Sequence, residues 1–154
     1  MSYSSLPTPY QAYRESESAY LEQRVFSSSP LELVCLLYEG AIDGVGSCRR
    51  FLQQGDILAR GRSVARVQGI LVELLNSLNG QVDADLARRL ALLYDYMLRK
   101  LEEGHREQRP EPFEEVESLL KNLQEAWQDL VKAETSSITK QSSETDASPA
   151  NCLA

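Results

Sequence analysis

The stretch from Ser28 to Gly44, SSPLELVCLLYEGAIDG, leaves this chain few folds to choose from. Ser29-Pro30-Leu31-Glu32 sets a serine N-cap, a proline at the first helical position and a glutamate at the third, the pattern of a capping box. Behind it Leu31, Val34, Tyr38, Ala41, Val45, Cys48 and Leu52 recur at alternating steps of three and four. That spacing lays them along one face of a helix, to be packed against other helices. A second row, Leu33, Leu37, Gly40, Gly44, Ser47 and Phe51, keeps the same step one face over. One seam suffices to join an ordinary bundle, so two ask for a further neighbour. That neighbour is either another helix of the same chain or a second chain.

Three more helices follow the first, which runs from about Pro30 to Gln54 and stops at Gly55. The second spans about Asp56 to Leu78, with Val64, Val67, Leu71, Leu74 and Leu78 in one seam and Asn79-Gly80 after it. The third spans about Asp85 to Glu103, with Gly104 as its expected C-cap. It carries two adjacent stripes, Leu86, Leu90, Leu93, Met97 and Ala87, Ala91, Tyr94, Leu98, Leu101. Pro110 and Pro112 mark a break, and the fourth helix spans about Phe113 to Ala133 through Val116, Leu120, Leu123, Trp127 and Leu130. Trp127 is expected to fill the interior. Helices of this length on short links fold most simply as an all-α, antiparallel up-and-down four-helix bundle.

The flanks differ from the bundle. Residues 1–28 hold four of the seven tyrosines (Tyr3, Tyr10, Tyr13, Tyr20), which is unlike a disordered tail, so this leader is expected to pack on or cap the bundle. Between Gln11 and Arg24 it has the pattern of a short extra helix. Residues 134–154 turn to Ser, Thr, Gln and Ala and are expected to be disordered. The domain reading is therefore a leader at 1–28, the bundle at 29–133 and a tail at 134–154.

Charge and cysteine usage exclude several functions. A net charge of −7 and scattered basic residues argue against a nucleic-acid track. The local sets Arg60, Arg62, Arg66 and Arg88, Arg89 read as solvated helix faces. No run of about 18 apolar residues exists to span a membrane, and the first residues lack the basic start and apolar core of a signal peptide. The expected location is the cytoplasm. Cys35 and Cys48 lie roughly 20 Å apart on one helix, too far to bridge, and read as small core residues.

No catalytic set emerges. Glu102-x-x-His105 resembles half of a di-iron motif, but His105 is the one histidine of the chain, and such a site needs two motifs and two further glutamates. A phosphate-carrying histidine belongs on an exposed mid-helix face rather than at a helix end. Gly-rich phosphate loops, G-x-S-x-G and Cys–His pairs are missing from the sequence. The expectation is a non-enzyme without metal or cofactor. What remains is surplus apolar surface, which on helical proteins most readily takes an amphipathic helix.

A set of segments now becomes recognisable. They are Pro9-Tyr10-Gln11-Ala12-Tyr13; Ser29-Pro30-Leu31-Glu32-Leu33 with Leu37-Tyr38-Glu39-Gly40-Ala41; Ile70-Leu71-Val72-Glu73-Leu74 with Ser77-Leu78-Asn79; Leu93-Tyr94-Asp95-Tyr96-Met97 with Leu101; and Glu115-Val116 leading to Ala126-Trp127. In this order and spacing the chain resembles the FliS family of flagellar export chaperones over residues 9 to 133. A longer spacer separates Tyr13 from Ser29, and the tail lies outside the match.

The resemblance implies a cytosolic chaperone that receives the disordered C-terminal segment of flagellin in apolar grooves. It would prevent premature polymerisation and present the loaded complex to the flagellar export gate. The expected client surface is then the second faces of the first and third helices: Leu33, Leu37, Gly44, Ala91, Tyr94 and Leu98. Gly44 and Ala91 either admit a client helix or simply tighten the bundle. Tyr10 and Tyr13 are expected as an N-terminal cap over part of the bundle. The isolated chain is expected as a monomer or weak homodimer. The alternative reading is a self-associating structural bundle whose surplus stripes meet in a homodimer without a client.

Overall fold

The computed structural model describes residues 18–23, 29–78 and 82–144. Tyr10, Tyr13, the Asn79-Gly80 stop, Cys152 and the last part of the tail lie outside these residues. A short helix α1 covers residues 18–23, inside the stretch expected to form one in the leader. The long helices are α2 (Pro30–Gln54), α3 (Ile57–Ser77), α4 (Ala84–Glu107) and α5 (Glu111–Glu144). There is no strand among the described residues.

The start of α2 is built as its sequence requires. The Ser29 hydroxyl accepts the Glu32 N–H at 3.3 Å, and the Glu32 carboxylate accepts the Ser29 N–H at 2.9 Å. Gly55 ends the helix in the left-handed region at φ 70°, where a side chain would be strained. One residue later Asp56 accepts the Ala59 N–H and starts α3. Asp83 does the same for Leu86 at the start of α4. With links this short, successive helices must run antiparallel.

Packing follows the chain order in a ring. α2 lies between α3 and α5, and α4 closes the ring between the same two neighbours. The first row of α2 points inward: Val34, Tyr38, Ala41, Val45 and Cys48 are buried. They meet Val64, Val67, Leu71 and Leu74 of α3, Leu90, Met97 and Leu101 of α4, and Phe113, Val116, Leu120 and Trp127 of α5 in one core.

Two polar devices sit inside that core. At one level the hydroxyls of Tyr38 and Tyr94 hydrogen-bond across the diagonal from α2 to α4. The Trp127 indole N–H then donates to the Tyr38 hydroxyl at 3.0 Å, so three helices are tied at one point. Burial raises both tyrosines above ordinary phenol values, Tyr38 the more strongly. Toward the other end Arg60 is only 2% exposed. Its Nε donates to His105 Nδ1 at 3.0 Å and an Nη to the His105 carbonyl at 3.3 Å. No buried side-chain polar atom among the described residues lacks a partner, as a stable core demands.

Three expectations about helix ends and faces need correction. Gly104 does not cap α4: the helix runs on to Glu107, and Gln108 takes the left-handed position at φ 54°. Gly104 is instead buried against the Phe113 ring, where a Cβ would come within 3.0 Å. The chain spends this glycine on close approach rather than on a turn. Arg60 is not part of a solvated face, because its register on α3 points it into the bundle. Lastly, α5 continues past Ala133 to Glu144, so the disorder expected from residue 134 does not hold there. Hydroxyls of Thr135, Ser136, Ser137, Thr139 and Ser142 donate back to carbonyls one turn earlier. No Gly or Pro interrupts this stretch, and its described side chains are exposed.

Candidate functional site

The second row of α2 divides into two parts. At Gly40 and Gly44 the backbone of α2 comes close to α3. A Cβ on Gly44 would stand 2.5 Å from a Val67 methyl, and one on Gly40 would stand 3.5 Å from Ile70 Cδ1. Two turns toward the N-terminus the row changes to Leu33 and Leu37, which are only half-buried. There the two helices enclose an open groove of about 360 Å³. Pro30, Leu33, Val34 and Leu37 form one wall and Glu73, Asn76 and Ser77 the other.

A second apolar strip lies on the opposite flank of α3, along α4. The Gln68 side chain donates to Glu102 across this boundary. Val72 and Leu75 follow Gln68 by four and seven residues, so they share its face, and they are 45% and 37% exposed. On α4, Leu98 and Ala91 precede Glu102 on the corresponding face and are half-buried. Leu98 also borders a wider cleft of about 690 Å³ whose rim is charged: Arg99, Lys100, Glu103 and Arg106.

The structure therefore splits the expected client surface. Leu33 and Leu37 line one groove, and Ala91 and Leu98 belong to the other flank. Gly44 and Tyr94 are not on the surface. Gly44 is buried against Val67, which is the bundle-tightening role, and Tyr94 is 1% exposed with its hydroxyl held by Tyr38. Neither side can meet a client unless the bundle opens. Sequence reading missed Val72 and Leu75, although the signal was present: two large apolar residues of the second helix fall outside its inward seam.

The chemistry available here is burial of apolar surface. Glu102 is engaged by Gln68 and His105 by Arg60. No group of three or more His, Cys, Asp or Glu among the described residues is placed to hold a metal ion. Desolvation, then the charge of Glu32, holds the half-buried Cys35 thiol above its ordinary value, and burial pushes Cys48 up to about 11. Both are thiols rather than thiolates at neutral pH. No described helix is long and apolar enough to cross a membrane.

Comparison with known proteins places this geometry in a family. The family described as "Flagellar protein FliS" matches residues 11–134. The flagellar secretion chaperone FliS of Salmonella typhimurium is 35% identical over 111 residues, 71% of this chain and 82% of the relative. The protein of the same name from Bacillus subtilis is 24% identical over 130 residues, covering 84% and 91%. That of Campylobacter jejuni is 29% identical over 118 residues, covering 77% and 92%. The match runs through all the helices that build the core and through both flanks of α3, and on this ground the chain belongs to the FliS family of flagellar secretion chaperones.

Proposed function

We propose that this chain is a cytoplasmic export chaperone for flagellin. It binds the disordered C-terminal segment of the client, keeps it from polymerising and hands the loaded complex to the flagellar export gate. The observation that carries this reading is the pair of apolar flanks beside α3: Leu33 and Leu37 on one side, Val72, Leu75, Ala91 and Leu98 on the other. A segment that becomes helical there trades its own apolar face for theirs. Coupled folding of this kind buries roughly 1,000–3,000 Å² and spends several kcal/mol on ordering, which keeps release within reach.

The leader has a place in this account. α2 begins at Pro30, which is also the first residue of the α2–α3 groove, so a tethered leader is at high effective concentration over it. Tyr10 and Tyr13 cover a groove when no client is present, and flagellin displaces them. A cover of this kind taxes client affinity by the fraction of time it is closed.

Calorimetric titration of full-length flagellin, and of flagellin lacking its C-terminal segment, tests the main reading. The full-length client should bind and the truncated one should not. Equal binding of both, or a stable dimer of the isolated chain that ignores flagellin, would favour the self-associating bundle. Removing residues 1–20 should tighten binding; weaker binding would make the leader a permanent part of the fold.

A further inference from the structure

The end of the α2–α3 hairpin opposite the groove carries exposed aliphatic and uncompensated cationic side chains together. Leu58 is 77% exposed and Ile57 53%. Leu58, Arg62 and Arg66 follow one another at steps of four, so they share the outer face of α3, and all three are exposed. Arg50 of α2 joins them. Gly44 meets Val67 in this antiparallel pair. Arg50 lies six residues beyond Gly44 and Arg62 five before Val67, so the two stand at one level. Arg50 rests over the Phe51 ring at 5.3 Å and donates to the Ser47 hydroxyl.

What sets these cations apart is the lack of a counter-charge. Arg49, Arg88, Arg89, Arg99, Arg106 and Arg109 are all ion-paired, whereas Arg50, Arg62 and Arg66 form no ion pair among the described residues. The acids nearest in sequence, Asp43, Asp56 and Glu73, form no ion pair among the described residues, and Asp56 accepts the Ala59 N–H at the start of α3. In a chain of net charge −7, three cations left open on one face beside two exposed aliphatics form a local charge of the opposite sign.

We propose that this face docks an acidic, leucine-bearing helical segment of a partner protein other than flagellin. The spacing of Leu58, Arg62 and Arg66 fits carboxylates and apolar residues set one turn apart on an opposing helix. An anionic bilayer is the poorer match, because lipid recognition of this sort uses clusters of roughly four to eight cations and the rest of this chain is acidic. The face is also separate from the groove, since the contacts of Gly40 with Ile70 and Gly44 with Val67 close the furrow between them. The proposal does not rest on flagellin being the client.

The test uses the full chain and two fluorescein-labelled probes, a helical peptide of Glu and Leu and its counterpart with Gln for every Glu. Anisotropy titrations at low salt should show the Glu peptide bound and the Gln peptide weaker. Arg62→Glu with Arg66→Glu should lower affinity for the Glu peptide about tenfold, as should a rise in salt. Leu58→Ser should weaken both peptides, and Val72→Glu, on the α4 flank of α3, should change neither. These surface variants should keep the helical circular dichroism of the parent. The proposal is overturned if the Glu peptide fails to bind, if the arginine variant binds it unchanged, if Val72→Glu abolishes it, or if phosphatidylglycerol vesicles bind where the peptide does not. Flagellin titrated into the arginine variant should bind as before, so a failed chaperone reading and a failed docking face give different results.

Discussion

Two apolar rows run side by side along α2, and the structure puts them to different uses. The inner row, Val34, Tyr38, Ala41, Val45 and Cys48, is fully enclosed. The second row is apolar with the same period, yet its members are glycines where α3 touches and leucines where α3 stands off. Helical period decides which residues share a face, and side-chain size decides whether the neighbouring helix can close on it. Gly44 gives the bundle a close joint, and the two leucines line an open groove two turns away.

Substitutions can break this contrast, beginning with the inner core. Trp127→Ala removes a large buried ring and a hydrogen bond to Tyr38, and should cost about 3–5 kcal/mol in urea denaturation. A melting temperature within a degree or two of the parent would show that this interior is not what holds the helices together. Gly44→Val comes next. Valine would gain helix propensity over glycine, but its Cβ meets a stiff β-branched neighbour in the core. Overpacking should win and lower stability by about 1–3 kcal/mol. If the variant were more stable, the close approach at Gly44 would not be the joint described.

A pH titration sharpens the same contrast. Cys48 is raised by burial from 9.0 to about 11, and Tyr38 and Tyr94 are raised from 10.0. The folded state then holds protons that the unfolded chain releases, so stability is full below pH 9 and falls as pH rises above it. Cys35 is raised from 9.0 as well, so it is in a Cys35→Ala background that Cys48→Ala should delay the onset of that fall toward pH 10, where the tyrosines take over. Thermal melts followed by circular dichroism between these values measure it, and an onset unchanged by the substitution would remove Cys48 from the account. The smallest stability effect is expected outside the core. Val72→Glu should shift stability by no more than about 0.5 kcal/mol, while weakening flagellin binding in calorimetry. A variant that instead unfolds would move Val72 from the α4 flank of α3 to the core.

Much of the fold was legible because local chemistry and global packing agree. The capping box at Ser29, the stop at Gly55 and the inward seam of α5 as far as Trp127 stand where the sequence puts them, whereas Leu130, expected at the end of that seam, is 52% exposed. Disagreement came where one residue type serves two purposes. Gly104 near a helix end reads as a cap, yet a glycine can equally provide room, and the Phe113 ring that needs the room is on another helix. Arg60 sits among arginines that look alike in sequence. Only its register, one face away from Arg62, carries it onto His105. The Ser/Thr-rich stretch after Ala133 reads as disordered by composition, but nothing in it stops a helix already formed.

The sequence by itself determined the number, starts and inward faces of the long helices, because caps and periodicity act within a few residues of one another. Only the tertiary structure decided which surplus apolar residues remain outside. Gly44 and Tyr94 went inward, Leu33 and Leu37 stayed at a groove, and Val72 and Leu75 came to the surface beside α4. Those outcomes depend on the distance between two helix axes, and that distance is set jointly by side chains from both helices, which no single amphipathic pattern contains.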